Sequence, residues 1–258
     1  MIPLAPDAIP HVRAWLGRPR EPALLALYHA LEYGRPGLWG DDPSTPESVV
    51  LVREGDDQIE AFGAGDPAPA AGWLAGRGRA GTLLAPASWH DAVAARVGPV
   101  EPARVETRSL VAFDPARALL PPRPAVPLVQ VTLEDGAGFV GSAPAWALRG
   151  WGSYPELIAH GAGFGVRGEG GFVALAWTFD GAGHFDAVGV HTAPRFRRLG
   201  LGRAVASALI AHIVRRRGKI PLWSTTPGNA ASRALARSLG FSTGTTELLL
   251  RWPPLRVP

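Results

Sequence analysis

Val188 to Gly202 reads VGVHTAPRFRRLGLG, and this stretch decides the fold of the C-terminal half. His184 to Thr192 predicts a strand, Pro194 marks a turn, and Gly200 and Gly202 punctuate the start of a long helix. Arg197, Arg198, Leu199, Gly200, Leu201, Gly202 and Arg203 would present consecutive backbone N–H groups at a helix N-terminus. There the orphan donors and the positive dipole end together hold a pyrophosphate, and glycines let the backbone come close. As a bare pattern Arg-x-x-Gly-x-Gly is weak: with 26 basic residues, one of them lysine, and 32 Gly in 258 positions it arises by chance roughly 0.4 times. Its placement between a strong strand and a strong helix gives it weight. A Rossmann site would need a third glycine at Val205 and an acidic residue downstream, and a Walker A loop would need Gly-Lys-Ser/Thr; neither is present.

Outward from this stretch, Leu201 to Arg217 carries a helical apolar stripe through Leu201, Ala204, Val205, Ala208, Leu209, His212 and Ile213. Arg215 to Arg217 and Lys219 close it where cations suit the dipole, and are expected as a solvated helix end. Ile220 to Ser224 predicts a short buried strand, Asn229 to Leu239 a helix stopped by Gly240, and Thr245 to Trp252 a last strand. Upstream, Phe164 to Val166, Phe172 to Phe179 and His184 to Thr192 are joined by turns at Gly168 to Gly171 and Asp180 to Gly183, which predicts an antiparallel meander. The fold class is mixed α/β (α+β), a mainly antiparallel central sheet flanked by helices.

The pattern resembles the acyl-CoA-binding motif of the GNAT superfamily of N-acyltransferases. Val190, His191 and Thr192 lie where that superfamily's bulged strand pairs with the pantetheine arm, and Arg197 to Arg203 where the pyrophosphate is cradled. Asn229, Ser232 and Leu239-Gly240-Phe241 match its following strand–helix unit. Pro221-Leu-Trp223, Leu235-Ala236 and Gly161-Ala-Gly163-Phe164 look like the two-part GNAT acetyltransferases with an extra N-terminal α/β domain. The resemblance implies a splayed central sheet and acetyl-CoA as acyl donor to an amine acceptor. Asp186 stands about where many members carry an acidic base, one residue off, so that a bulge is needed to turn it to the thioester; His184 and His191 are rival bases. The tyrosine that protonates the leaving thiolate in many members falls at Ala236, leaving Ser224, Thr225 and Ser232 as hydroxyl sources. Tyr154, Trp146, Trp151, Trp177 and Trp223 are read first as core and second as an acceptor pocket.

Composition sets the rest. The chain is 47% hydrophobic and 19% charged, and no apolar run approaches the roughly 20 residues of a membrane span, so a cytoplasmic protein with no membrane partner is expected. Without cysteine, disulfides, thiolate zinc sites and thiol nucleophiles are excluded. Leu119 to Pro127 (LLPPRPAVP) predicts the boundary between an N-terminal α/β domain, 1–124, and a GNAT-like domain, 125–258. Residues 126–258 carry 14 basic and 7 acidic side chains, +7, against 12 and 15, −3, before them, which suits a polyanionic cofactor. In the first part Glu21 to Tyr33 and Ala87 to Arg96 predict helices, and Ser48 to Arg53 and Val105 to Phe113 strands; Asp41, Asp42 and Glu47 read as turn residues rather than a metal site. The alternative to an enzyme is a noncatalytic acyl-CoA sensor or scaffold. A nucleic-acid binder ranks last, with only the Arg215 to Lys219 cluster behind it. The last strand is expected to offer a sheet edge, either to another subunit, making an oligomer, or to the N-terminal domain.

Overall fold

The computed structural model describes residues 1–17, 24–54, 58–98, 100–109, 127–241 and 245–254. The chain forms two compact units, Met1–Val105 with the segment from Thr246 onward, and Glu106–Thr245. Of the expected boundary at residues 119–127, all but Pro127 lies outside the described residues, as do 21–23 of the first helix and 110–113 of the strand expected there.

The first unit runs β1 (Ile2–Pro3), α1 (Ile9–Leu16), α2 (Leu25–Tyr33), β2 (Leu38–Gly40), β3 (Ser48–Glu54), β4 (Gln58–Gly65), α3 (Ala68–Gly76), β5 (Ala80–Leu84), α4 (Ala87–Val97) and the start of β6 (Glu101–Ser109). As read from the sequence, α2 stops at Gly34, which takes the left-handed conformation (φ 61°) that glycine adopts without penalty. Strands β1 to β4 pair antiparallel in order. β5 lies parallel to β4, a step that requires the crossover helix α3. The core gathers Val50, Val52, Leu74, Leu83, Val93 and the fully buried Trp89. Asp41 and Asp42 are turn residues: Asp41 accepts from the N–H of Glu47 and Ser48, Asp42 from those of Ser44 and Thr45.

The C-terminal half runs β7 (Leu128–Gln130), α5 (Gly136–Ser142), α6 (Tyr154–His160), β8 (Gly163–Gly168), β9 (Gly171–Ala182), β10 (Phe185–Thr192), α7 (Leu201–Arg215), β11 (Ile220–Thr225) and α8 (Ala230–Ser238), which with most of β6 make the second unit, and ends in β12 (Thr245–Trp252), which from Thr246 onward belongs to the first. The meander β7 to β10 is antiparallel, and β11 is parallel to β10. Leu201, Val205, Leu209 and Ile213 of α7 pack on Val166, Ala174 and Ala176. Its neighbouring stripe, Ala206 and Ile210, packs on Trp223, Ala236 and Phe241. Burial of each large aliphatic side chain contributes about 1.5–3 kcal/mol, so this two-sided seat fixes α7 firmly on the sheet.

The last strand of each half of the chain is therefore built into the unit formed mainly by the other half. Residues 250–252 of β12 pair antiparallel with 81–83 of β5, and residues 106–109 of β6 pair antiparallel with 222–225 of β11. The edge expected at Thr245 to Trp252 is therefore joined to a strand of the N-terminal part.

Two irregularities open the strands of the second unit at one point. The parallel ladder between β10 and β11 ends at Ala187 and Leu222, although β10 continues to Thr192 and β11 to Thr225, so the two strands part there. A register shift between Asp186 and Val188 against β9 places a bulge at the same point.

Candidate functional site

From the end of β10 the chain makes a short 3₁₀ turn, Pro194–Phe196, and enters the arginine–glycine loop. Arg197 folds back, its Nε donating to the Thr192 carbonyl at 3.1 Å. Arg198 is the one non-glycine residue, among those described, in the left-handed region (φ 63°), a conformation that costs about 1–3 kcal/mol and persists only where the surroundings impose it. Gly200 follows at φ 79° as the N-cap of α7 and brings no side chain to the first-turn N–H groups. By contrast α6 and α8 are capped by Ser153 and Asn229. The start of α7 thus keeps its N–H donors and dipole available beside the exposed Arg197 and Arg198, an arrangement that attracts an anion.

The two glycines do different work. Gly200 has open space around it and is required by its backbone conformation, whereas a Cβ on Gly202 would stand 2.9 Å from Thr192 Oγ1. A larger residue at 202 would require the Thr192 side chain to move. Leu201 anchors the turn in the core, while Leu199 is 66% exposed. Arg203 turns away from the loop, its guanidinium donating to the Ser238 carbonyl at 3.4 Å.

On β10, Val190 packs against α7, and the half-buried His191, next along the strand, points to the opposite face. Beyond Ala187 the edge of β10 toward β11 has no ladder partner. Asn229 and Ser232, expected at the cofactor, organise the first turn of α8: Asn229 Oδ1 accepts from the Ser232 N–H at 3.1 Å, and Ser232 Oγ accepts from Trp223 Nε1 at 2.9 Å. Asn229→Ala should lower stability by about 1 kcal/mol through the lost cap, seen as a melting temperature a few degrees lower. An unchanged melting curve would mean that the cap is replaced.

Asp186, expected as the base, is fully buried at the far end of α7 from Gly200. One carboxylate oxygen accepts from Arg217 Nε at 2.5 Å and the other from Lys219 Nζ at 3.3 Å. Arg217 also donates to the His160 carbonyl at 2.8 Å. The expectation of a solvated helix end therefore fails at Arg217: the chain turns inward after α7, and the guanidinium neutralises a buried carboxylate. Nothing local in the sequence announces this cluster, because its members lie 31 and 33 residues apart.

Ala236, where a tyrosine acid would fall, is fully buried against Trp223 and Phe241. Tyr154 is no substitute, since its hydroxyl donates to the Thr132 carbonyl and burial pushes its pKa up to about 12. Trp151, Trp177 and Trp223 are core residues. Trp146 is half-exposed, its ring 5.3 Å from Trp177 and 5.5 Å from Phe179. Among the described residues no group of three His, Asp or Glu is placed to hold a metal, and no helix is long and apolar enough to cross a membrane.

Burial lowers the pKa of His90, His191 and His212, assisted at His191 by Arg197 and at His212 by Arg217 and Arg216. Above the ordinary histidine value of about 6.5 both folded and unfolded chains are neutral at these positions and stability is complete. As pH falls below it, the unfolded chain takes protons that the native protein resists, and stability declines through the lowered native values. Thermal midpoints at pH 7.5, 6.5 and 5.5 should therefore descend. A flat series would contradict the burial of these imidazoles.

Residues 145–246 match the family model of GNAT acetyltransferases. Among solved structures, a GCN5-related N-acetyltransferase-like protein from Streptococcus suis 89/1591 is 20% identical, with a TM-score of 0.72 over 95% of this chain and 98% of that one. A GCN5-related N-acetyltransferase from Kribbella flavida is 21% identical, with a TM-score of 0.61 over 90% and 95%. A tandem GNAT protein from the clavulanic acid biosynthesis pathway is 14% identical, with a TM-score of 0.67 over 100% and 99%. No curated relative matches the sequence.

Proposed function

We propose that the protein, whose residues 145–246 match the family model of GNAT acetyltransferases, transfers an acetyl group from acetyl-CoA to the primary amine of a small-molecule or peptide acceptor, as a cytoplasmic enzyme. The observation that carries this reading is the uncapped start of α7, flanked by Arg197 and Arg198, at the end of a strand that has just parted from its neighbour. The loop Arg197–Gly202 takes the pyrophosphate. The unpaired edge of β10, from Val188 through Val190, His191 and Thr192, offers backbone groups to the pantetheine arm, as an added strand would use them.

The chemistry then asks for alignment more than for covalent help. The amine nitrogen attacks the thioester carbonyl carbon, the C–S bond breaks, the amine loses a proton, and the thiolate gains one to leave as CoA. A backbone N–H of the free β10 edge steadies the developing oxyanion. In this reading Asp186 holds the closed end of the cleft, because both its oxygens are already taken by cations.

The buried Ala236 and the engaged Asp186 favour a second reading, a sensor that binds acyl-CoA without turnover. Calorimetric titration with acetyl-CoA, followed by an amine panel read by release of free CoA thiol, tests both. Binding with thiol release supports the enzyme, and binding without release across the panel supports the sensor. Absence of binding by folded protein overturns both.

A further inference from the structure

We propose that the N-terminal unit is a second copy of the acyl-CoA-binding fold whose cleft is sealed by Trp89, so that one chain holds one acyl-CoA, in the unit Glu106–Thr245. This rests on the acyl-CoA reading above and assigns the first unit a different part in it.

The two halves of the chain follow the same plan. Each runs strand, two helices, three strands, helix, strand, helix, strand. The pairings agree as well: β1–β2–β3–β4 and β7–β8–β9–β10 are antiparallel meanders, and β5 on β4 and β11 on β10 are parallel. In each unit the parallel strand takes an antiparallel neighbour on its other side, 250–252 in one and 106–109 in the other.

On this shared plan, β4, α3, β5 and α4 stand where β10, α7, β11 and α8 stand, and every feature of the cofactor cleft is cancelled. The connection from β4 to α3 is only residues 66 and 67, Asp-Pro, where residues 193–200 carry the arginine–glycine loop. Asp66 Oδ1 accepts from the Ala68 N–H at 3.0 Å, placing a carboxylate at the start of α3 that a phosphate would have to displace. The β4–β5 ladder runs over the whole of β5, from Gln58 and Ala80 to Phe62 and Leu84, so these strands do not part as β10 and β11 do.

Trp89 closes what space is left. It is the third residue of α4, as Ser232 is the third of α8. Its ring lies so close over β4 that a Cβ on Gly63 would meet it at 2.3 Å. Its Nε1 donates to the Gly65 carbonyl at 2.9 Å, a β4 acceptor at the strand end where β10 offers Thr192. A fully buried indole thus fills the space over the end of β4 and engages the Gly65 carbonyl there, leaving no room for a pantetheine arm on this strand. What the N-terminal half supplies to the acyl-CoA-binding unit is residues 106–109, the strand beside β11.

The test is acetyl-CoA stoichiometry on the full chain, by calorimetry on wild type and on Gly200→Glu, Gly202→Glu, with hydrogen exchange of wild type with and without the ligand. One site per chain, lost in the double variant, with slowed exchange confined to peptides around residues 188–204, is expected. Two sites per chain, a site surviving in the folded double variant, or slowed exchange at residues 58–71 would overturn the proposal while leaving the acyltransferase reading intact. Zero sites on folded wild type would overturn both. The exchange measurement needs no variant and decides the matter even if the double variant does not fold.

Discussion

Replacing Gly200 and Gly202 by glutamate should weaken acetyl-CoA binding at least about 100-fold, or about 2.7 kcal/mol. Three effects point the same way. At Gly200 the backbone sits at φ 79°, which a glutamate adopts only with strain or by rebuilding the loop. At Gly202 the added side chain begins 2.9 Å from Thr192 Oγ1, so that Thr192 must shift and the space beside the loop is filled. Two carboxylates are then set at the helix end that would otherwise attract an anion. Because Gly200 faces open space and Gly202 lies in the first turn, the fold should survive, which circular dichroism and the melting temperature would verify. Unaltered affinity in a folded variant would remove the loop from the cofactor site.

Asp186→Asn should lower stability by about 3–5 kcal/mol, because it leaves Arg217 and Lys219 mostly buried without the charge that compensates them. For a protein of this length that corresponds to a melting temperature roughly 10 °C lower. The variant also separates two roles for this carboxylate. A positioning residue that ties the start of β10 to the end of α7 and the start of β11 predicts weaker acetyl-CoA binding with an unshifted pH profile of turnover. A proton acceptor predicts retained stability and binding, with turnover lost and its pH dependence changed. A folded Asp186→Asn protein of wild-type stability would sink the positioning role.

Much of the C-terminal half was legible because its signals are local. The apolar stripe of α7, the turns of the meander and the strand Thr245 to Trp252 need only a window of several residues, and each element is found within a few residues of its expected bounds. The loop Arg197 to Gly202 stood out for the same reason, because its residues are consecutive. What escaped was long-range. That Arg217 reaches Asp186, or that 250–252 pairs with 81–83, depends on how the chain returns on itself, and neither residue type nor spacing encodes it. The likeness of the two units was hidden for a further reason. A loop reduced to Asp66-Pro67 and a tryptophan at position 89 erase the residues by which such a fold is recognised, while β1 and β2, at two and three residues, are too short to show periodicity.

The exchanged last strands bear on how the protein comes into being. On a ribosome, the first unit emerges nearly whole, yet β5 waits for a partner that is translated some 170 residues later, between Arg79 and Trp252 in the hydrogen bond that joins them. Until then an unfinished sheet edge is open to wrong partners, including other nascent chains. The second unit, in turn, begins with residues 106–109, which lie in the N-terminal half of the chain. Neither unit is a module that evolution or an experimenter can cut away at 124/125 and move elsewhere: each half of the gene encodes a piece of the other's fold, and the two must be inherited, synthesised and lost together.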